Sequence, residues 1–174
     1  QGRKRGRVMK NETLFKLSYG MYAIGVKDGE KASACIVNTV FQVTNSPNTL
    51  AVSMNHDNYS HECIQKTGLF TVSVLSEDTS GAVRHRILEE GPPIIKENIC
   101  CWYLCKVITS AETPTHTLFI GEIIAGSDKA VGIPMTYDYY HKVIKGSAPK
   151  NAPTYQASVQ EDEDLGGDAW ICTV

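Results

Sequence analysis

The sequence predicts an all-β domain, an antiparallel barrel that is closed or nearly closed and carries a few short helices. Three observations predict it. Runs of β-forming residues recur along most of the chain, the joints between them are short and rich in turn residues, and helix caps flank only brief segments. The length of 174 residues suits one domain with a real core.

The elements follow in order. From Phe15 to Val43 the chain reads as two strands, Leu17 to Val26 and Ala32 to Val43, joined by a hairpin turn at Lys27-Asp28-Gly29-Glu30. Asn45-Ser46-Pro47-Asn48 is a loop, and Thr49 to Met54 is a third strand. Between Asn58 and Gly68 an Asn or Ser cap, a mixed run and a closing Gly predict a helix of one to two turns. Leu69 to Leu75 alternates apolar and small polar residues, as a half-buried strand does. Ser76 to Gly91 is polar with a weak helical stretch. After Pro92-Pro93, Ile94 to Ile108 and Thr117 to Ala125 are the clearest strands, and Thr136 to Ile144 reads as one more. From Gly146 the composition shifts: Ala148 to Pro153 is linker-like, and Glu161-Asp162-Glu163-Asp164 precedes Gly166-Gly167. This tail is expected to reach away from the barrel or to lie on a partner.

Charge and composition exclude several classes. Lys and Arg number 17 against 19 Asp and Glu, a net charge of −2, so no pull toward nucleic acid or an anionic membrane is expected. Arg3, Lys4, Arg5, Arg7 and Lys10 form a short basic run, expected to be a frayed tail or an expression remnant over residues 1–10. No apolar stretch reaches the roughly 18 residues that span a bilayer, and no secretory segment is visible, so a cytoplasmic protein is expected. The six cysteines form no Cys-x-x-Cys pair and mostly sit in strand-like runs, which suits buried free thiols in a reducing compartment. No glycine-rich nucleotide fingerprint, phosphate loop or nucleophile elbow is present. No metal-ligand spacing is visible either: His56 and His61 are five apart, and His116 and His141 stand alone.

Three segments read as a nucleotide cradle. Ser33, Ala34, Cys35, Ile36, Val37, Asn38 and Thr39 offer small residues, past which a flat ring can approach backbone N–H and C=O groups. Ser53, Met54, Asn55 and the residues through Ser60 and His61 set amides and hydroxyls before a helix start, where free N–H groups and the helix dipole favour a phosphate. Thr115 to Glu122 brings His116 to a strand entry. Each fragment taken singly also has a plain structural reading: a turn with an N-cap, a half-exposed histidine, and, for Tyr137, Tyr139, Tyr140 and His141, aromatics that close a barrel.

In combination the fragments resemble a family. The runs Leu17 to Tyr22, Asn38 to Thr44, Ser60 to Ile64 with Thr67-Gly68-Leu69-Phe70, Thr115 to Glu122, and Tyr139 to Lys142 are similar to the flavin reductase-like family of FMN-binding split β-barrels, most of all to the flavin domain of rubredoxin-fused flavoproteins. The resemblance covers residues 11–155. It implies a homodimer with one FMN per subunit near the interface, the isoalloxazine edge against backbone from Cys35 to Thr39, and the phosphate near Ser53, Asn55 and Ser60. It further implies that His116 faces the flavin and places the nicotinamide of NADH or NADPH or tunes the ring, and that Tyr140 and His141 lie near the cofactor or the dimer contact. Ala169 to Val174 is similar to the opening of a rubredoxin module, so residues 156–174 are expected to be a linker and the truncated start of such a module. An iron site of that kind needs four thiolates, and Cys172 alone supplies one. Relatives also carry a Phe-Gly-Phe-like, Ser-Gly-rich stretch after the strand that ends near Leu75. Here Gly81-Ala82-Val83 runs directly into Arg84-His85-Arg86-Ile87, either naturally short or missing residues, and in relatives this stretch covers the flavin.

The function expected is an oxidoreductase that accepts hydride from NAD(P)H on FMN and passes electrons to a fused or separate rubredoxin, and onward to an oxygen- or peroxide-reducing flavoprotein. The alternative is a flavoredoxin-like FMN electron carrier without a pyridine nucleotide site. A third reading is a split barrel that binds no flavin.

Overall fold

Turn residues decide where the strands start and stop. The computed structural model describes residues 10–79, 85–87 and 91–146. Strands β1 (Tyr22–Asp28) and β2 (Lys31–Val37) form the expected hairpin, with Gly29 at a φ of 58° in its turn. Strands β3 (Val40–Asn45) and β4 (Asn48–Asn55) form a second hairpin around Ser46-Pro47. Helix α1 (Tyr59–Thr67) is capped by Asn58, whose side chain accepts the Ser60 amide, and it ends on Gly68 in the left-handed region. Strand β5 (Leu69–Leu75) follows at once. Short strands β6 (His85–Ile87) and β7 (Pro93–Ile95) pair with each other, and long strands β8 (Ile99–Glu112) and β9 (His116–Gly126) form a further hairpin.

Several expected boundaries move. The first strand starts at Tyr22 rather than Leu17, and Asn11–Lys16 forms a 3₁₀ turn. The expected strand from Ala32 to Val43 is broken at Asn38-Thr39 into β2 and β3. That from Ile94 to Ile108 is broken before β8, where Asn98 takes a φ of 57°, a conformation Asn tolerates better than most side chains. The expected strand from Thr136 to Ile144 is helical: α2 (Tyr137–Tyr139) runs into a π turn over Tyr140–Ile144. Aromatic β-formers lose here to local hydrogen bonding. The Thr136 hydroxyl accepts the Tyr139 amide, and Lys142 pairs with Asp138 one turn away at 2.9 Å. Ser76 to Thr79 holds a turn and β6 is a strand, so the helical character expected in this polar stretch is absent among its described residues. The expected basic tail apart from Lys10, the loop around Gly81-Ala82-Val83, and the linker and Cys172 segment lie outside the described residues.

Apart from β6 and β7, which form a separate two-stranded sheet, seven strands form one antiparallel sheet in the order β2-β1-β5-β8-β9-β4-β3. Its two edges, β2 and β3, are consecutive in sequence and joined only by Asn38 and Thr39. A two-residue link spans under about 10 Å, so the sheet must curl until its edges meet at that end. No ladder joins β2 to β3, and the barrel stays split between them. Ile24, Val26, Val52, Met54, Phe70 and Val72 fill the interior, and α1 plugs it with Cys63 and Ile64. Alternation sends Met21 and Ala23 to the opposite face of the sheet, where Leu75, Ile95 and Met135 form a second cluster with Tyr137, Tyr139 and Tyr140 against it. Gly25 lets β7 cross close to β1: a Cβ there would collide with the Pro93 carbonyl oxygen and the Thr71 hydroxyl.

Candidate flavin site

The break at Asn38-Thr39 sets the first wall of the site. Thr39 crosses to β4, where its hydroxyl donates to the Ser53 carbonyl at 3.0 Å and its own carbonyl accepts the Ser53 amide at 3.2 Å. Beyond Ser53, β4 pairs with the start of β9, with Met54 opposite Thr117 and Asn55 opposite His116. The loop after Asn55 then turns into α1. The Asn55 side chain accepts the Asp57 amide at 2.9 Å and the Asn58 side chain accepts the Ser60 amide at 2.8 Å, so part of the helix-tip N–H set is already engaged within the loop. On β2, half-buried Cys35 turns its thiol toward Ser60 and Asn58; burial pushes the thiol pKa up, and the hydrogen bonds from those two side chains oppose the rise. The described cysteines are all free, and burial pushes Cys105 up to about 12, which keeps it a neutral thiol.

The structure therefore brings together Cys35, Asn38, Thr39, Ser53, Met54, Asn55, Ser60, His61 and His116, drawn from strands far apart in sequence. Ser60 is buried below the loop rather than displayed on it. Ser33 and Ala34 lie further back along β2, opposite Val26 and Gly25 of β1. Val37 packs on the barrel core, whereas Ile36 faces the second cluster together with Tyr140. Tyr140 and His141 thus belong to the outer face of β1 and β2, and the rings of Tyr137 and His141 lie 4.2 Å apart there.

Histidines concentrate at the helix tip. The ring of His61 is buried between Phe119 and His56, with centroids 5.4 and 5.1 Å away. Burial first, and the neighbouring His56 second, hold its pKa below 6.5, and Glu112 works against them. His116 is half-buried; its Nδ1 meets the Thr115 hydroxyl at 2.8 Å, and its Nε2 is the buried side-chain nitrogen left without a partner among the described residues. Burial and then His56 push the His116 pKa down as well, which favours a neutral ring able to bond an incoming polar group. Sequence reasoning missed Glu112, and it placed His56 and Thr117 within cradle segments without giving either a role in this cluster. Glu112 accepts the Thr117 hydroxyl and lies 3.2 Å from His56 Nε2, contacts that arise only because the β8–β9 hairpin sets Glu112 opposite Thr117.

A groove of about 480 Å³ opens beside the crossing, starting at Val40 and lined by Tyr22, Gln42, Val72, Cys101 and Tyr103. Its volume falls in the range of small-molecule sites. It shares none of the expected site residues, and the helix-tip cluster lies outside its lining. Among the described residues no group of three or more His, Cys, Asp or Glu could hold a metal ion. None of the helices described is long and apolar enough to cross a membrane.

A model of the flavin reductase like domain matches residues 14–87. A high molecular weight rubredoxin of Moorella thermoacetica is 31% identical over 95% of this chain and 81% of that protein. A ferric-chelate reductase (NAD(P)H) of Archaeoglobus fulgidus is 29% identical over 84% of this chain and 98% of its own. Among solved structures, a flavoredoxin from Methanosarcina acetivorans superposes with a TM-score of 0.61 at 25% identity, over 74% of this chain and 80% of that one.

Proposed function

The chain belongs to the flavin reductase like domain family, and from that premise we propose that it binds FMN between the β2–β3 crossing and the tip of α1 and works as an NAD(P)H-dependent oxidoreductase. The observation that carries this reading is the convergence of three separate segments: Thr39 on Ser53, Cys35 against Ser60, and Asn55 beside His116. The residues fit such a group. The Nε2 of His116, without a partner among the described residues, offers a hydrogen bond to a polar edge. When bound, the flavin supplies the redox chemistry, since the protein around such a cofactor provides binding, orientation and electrostatics.

In this reading Asn38 and Thr39 meet the ring edge through backbone groups, while Ser53, Asn55 and the α1 tip hold the phosphate, favoured by the helix dipole. His116 orients the nicotinamide of the hydride donor. A neutral His116 keeps that position uncharged and leaves Nε2 as donor or acceptor according to tautomer. Electrons leave to rubredoxin, a role suggested by the name of the Moorella relative, and from there to an oxygen- or peroxide-reducing flavoprotein. A homodimer completes the site; large apolar residues left exposed on β3, β8 and β9 (Phe41, Ile108 and Ile124) support it.

The test is direct. Protein saturated with FMN, passed through a desalting column and mixed anaerobically with NADH or NADPH should keep its yellow colour through the column and then bleach. A colourless eluate sinks the reading. Retained colour that neither nucleotide bleaches would leave the second reading, an electron carrier of the flavoredoxin kind, which the likeness to the Methanosarcina protein favours.

A further inference from the structure

We propose that Glu112 is a positioning residue of the flavin site, acting through Thr117 and His56 on the loop and helix tip that meet the phosphate; this rests on the flavin-binding reading above.

The chain of contacts has a defined proton order. Both oxygens of the Glu112 carboxylate lie within reach of the Thr117 hydroxyl, at 2.9 and 3.0 Å. An ionised carboxylate only accepts, so the single Thr117 proton points to Glu112. The Thr117 oxygen must then accept from His61 Nε2, 2.7 Å away. His61 is thereby held as the Nε2–H tautomer. The second arm of the same carboxylate reaches His56 Nε2 at 3.2 Å. His56 lies in the β4–α1 loop and His61 in the first turn of α1, so one carboxylate on β8 holds both ends of the segment from His56 to His61. Thr117 and His61 are buried, whereas the Glu112 side chain is 60% exposed. Nothing in core packing requires a carboxylate at 112; what it contributes is the hydrogen bond it accepts from Thr117 and the ion-pair contact with His56.

Two measurements test this on Glu112→Ala, Glu112→Gln, Thr117→Val and Thr117→Ser. In flavin-free protein, histidine ring ¹⁵N spectra should show His61 as the Nε2–H tautomer in the parent, in Glu112→Gln and in Thr117→Ser. That preference should be lost in Glu112→Ala and Thr117→Val. In titrations, Glu112→Ala should bind FMN about tenfold more weakly and bind riboflavin, which lacks the phosphate, as the parent does; Glu112→Gln, which still accepts from Thr117, should recover most of the loss. Unchanged FMN affinity in Glu112→Ala, equal weakening of both flavins, or another His61 tautomer in the parent each overturn the proposal. A parent that binds neither flavin instead overturns the flavin-binding reading, while the ring spectra still decide whether Glu112 orders His61.

Discussion

His116 concentrates the chemistry of a single residue. Its Nε2 is buried and has no partner among the described residues, its Nδ1 is tied to Thr115, and the β4–β9 register sets it beside Asn55. His116→Ala should slow reduction of bound flavin by NADH more than it weakens flavin binding; stopped-flow rates equal to the parent's would remove its role. Asn55→Leu should weaken FMN binding, because the side chain that arranges the loop amides is lost, and an unchanged dissociation constant would count against the phosphate position. The two depressed histidines also give a sign to the pH dependence. Both His61 and His116 fall below the 6.5 of an unfolded chain, so the unfolded state takes up protons first as the pH drops. Their contribution to stability is full above about pH 6.5 and is lost as the pH falls from there through the folded values. Urea midpoints of a His61→Gln, His116→Gln double variant should vary less between pH 7 and 5 than those of the parent.

Among the elements, β1 and α2 show opposite ways in which neighbours override local preference. Glycine weakens a strand interior by itself, yet Gly25 sits mid-strand because the Pro93 carbonyl and the Thr71 hydroxyl occupy the space of a side chain. Gly25→Ala should cost about 2 kcal/mol or more through forced separation of β1 from β7, read as a lower urea midpoint with unchanged slope. In α2 the run of aromatics favours a strand, but the described strands lie in sheets that offer it no ladder, and the Thr136 cap turns it helical.

For the whole molecule, connectivity dominates. Placing consecutive strands at opposite sheet edges forces curling, and the unlaced seam between them leaves edge backbone and apolar side chains uncovered. Phe41, 55% exposed on edge strand β3, should lie at the contact between subunits. Light scattering should give the parent a mass near twice its 19.1 kDa chain, and Phe41→Asp should shift it toward one chain. A parent that scatters as a monomer would remove the homodimer.

The sequence by itself determined the β-rich barrel, the β1–β2 turn, the caps of α1 and the limits of β5, because each depends on turn chemistry or alternation within a few residues. It also marked the three segments of the proposed site, since small residues, a helix start and a strand-entry histidine are visible locally. Only the tertiary structure decided that Ile36 and Tyr140 share the outer face, that Ser60 is buried against Cys35, and that Glu112 joins Thr117, His61 and His56. Those relations follow from strand register and from the crossing at Asn38-Thr39, which bring together residues tens of positions apart and leave no periodic trace along the chain.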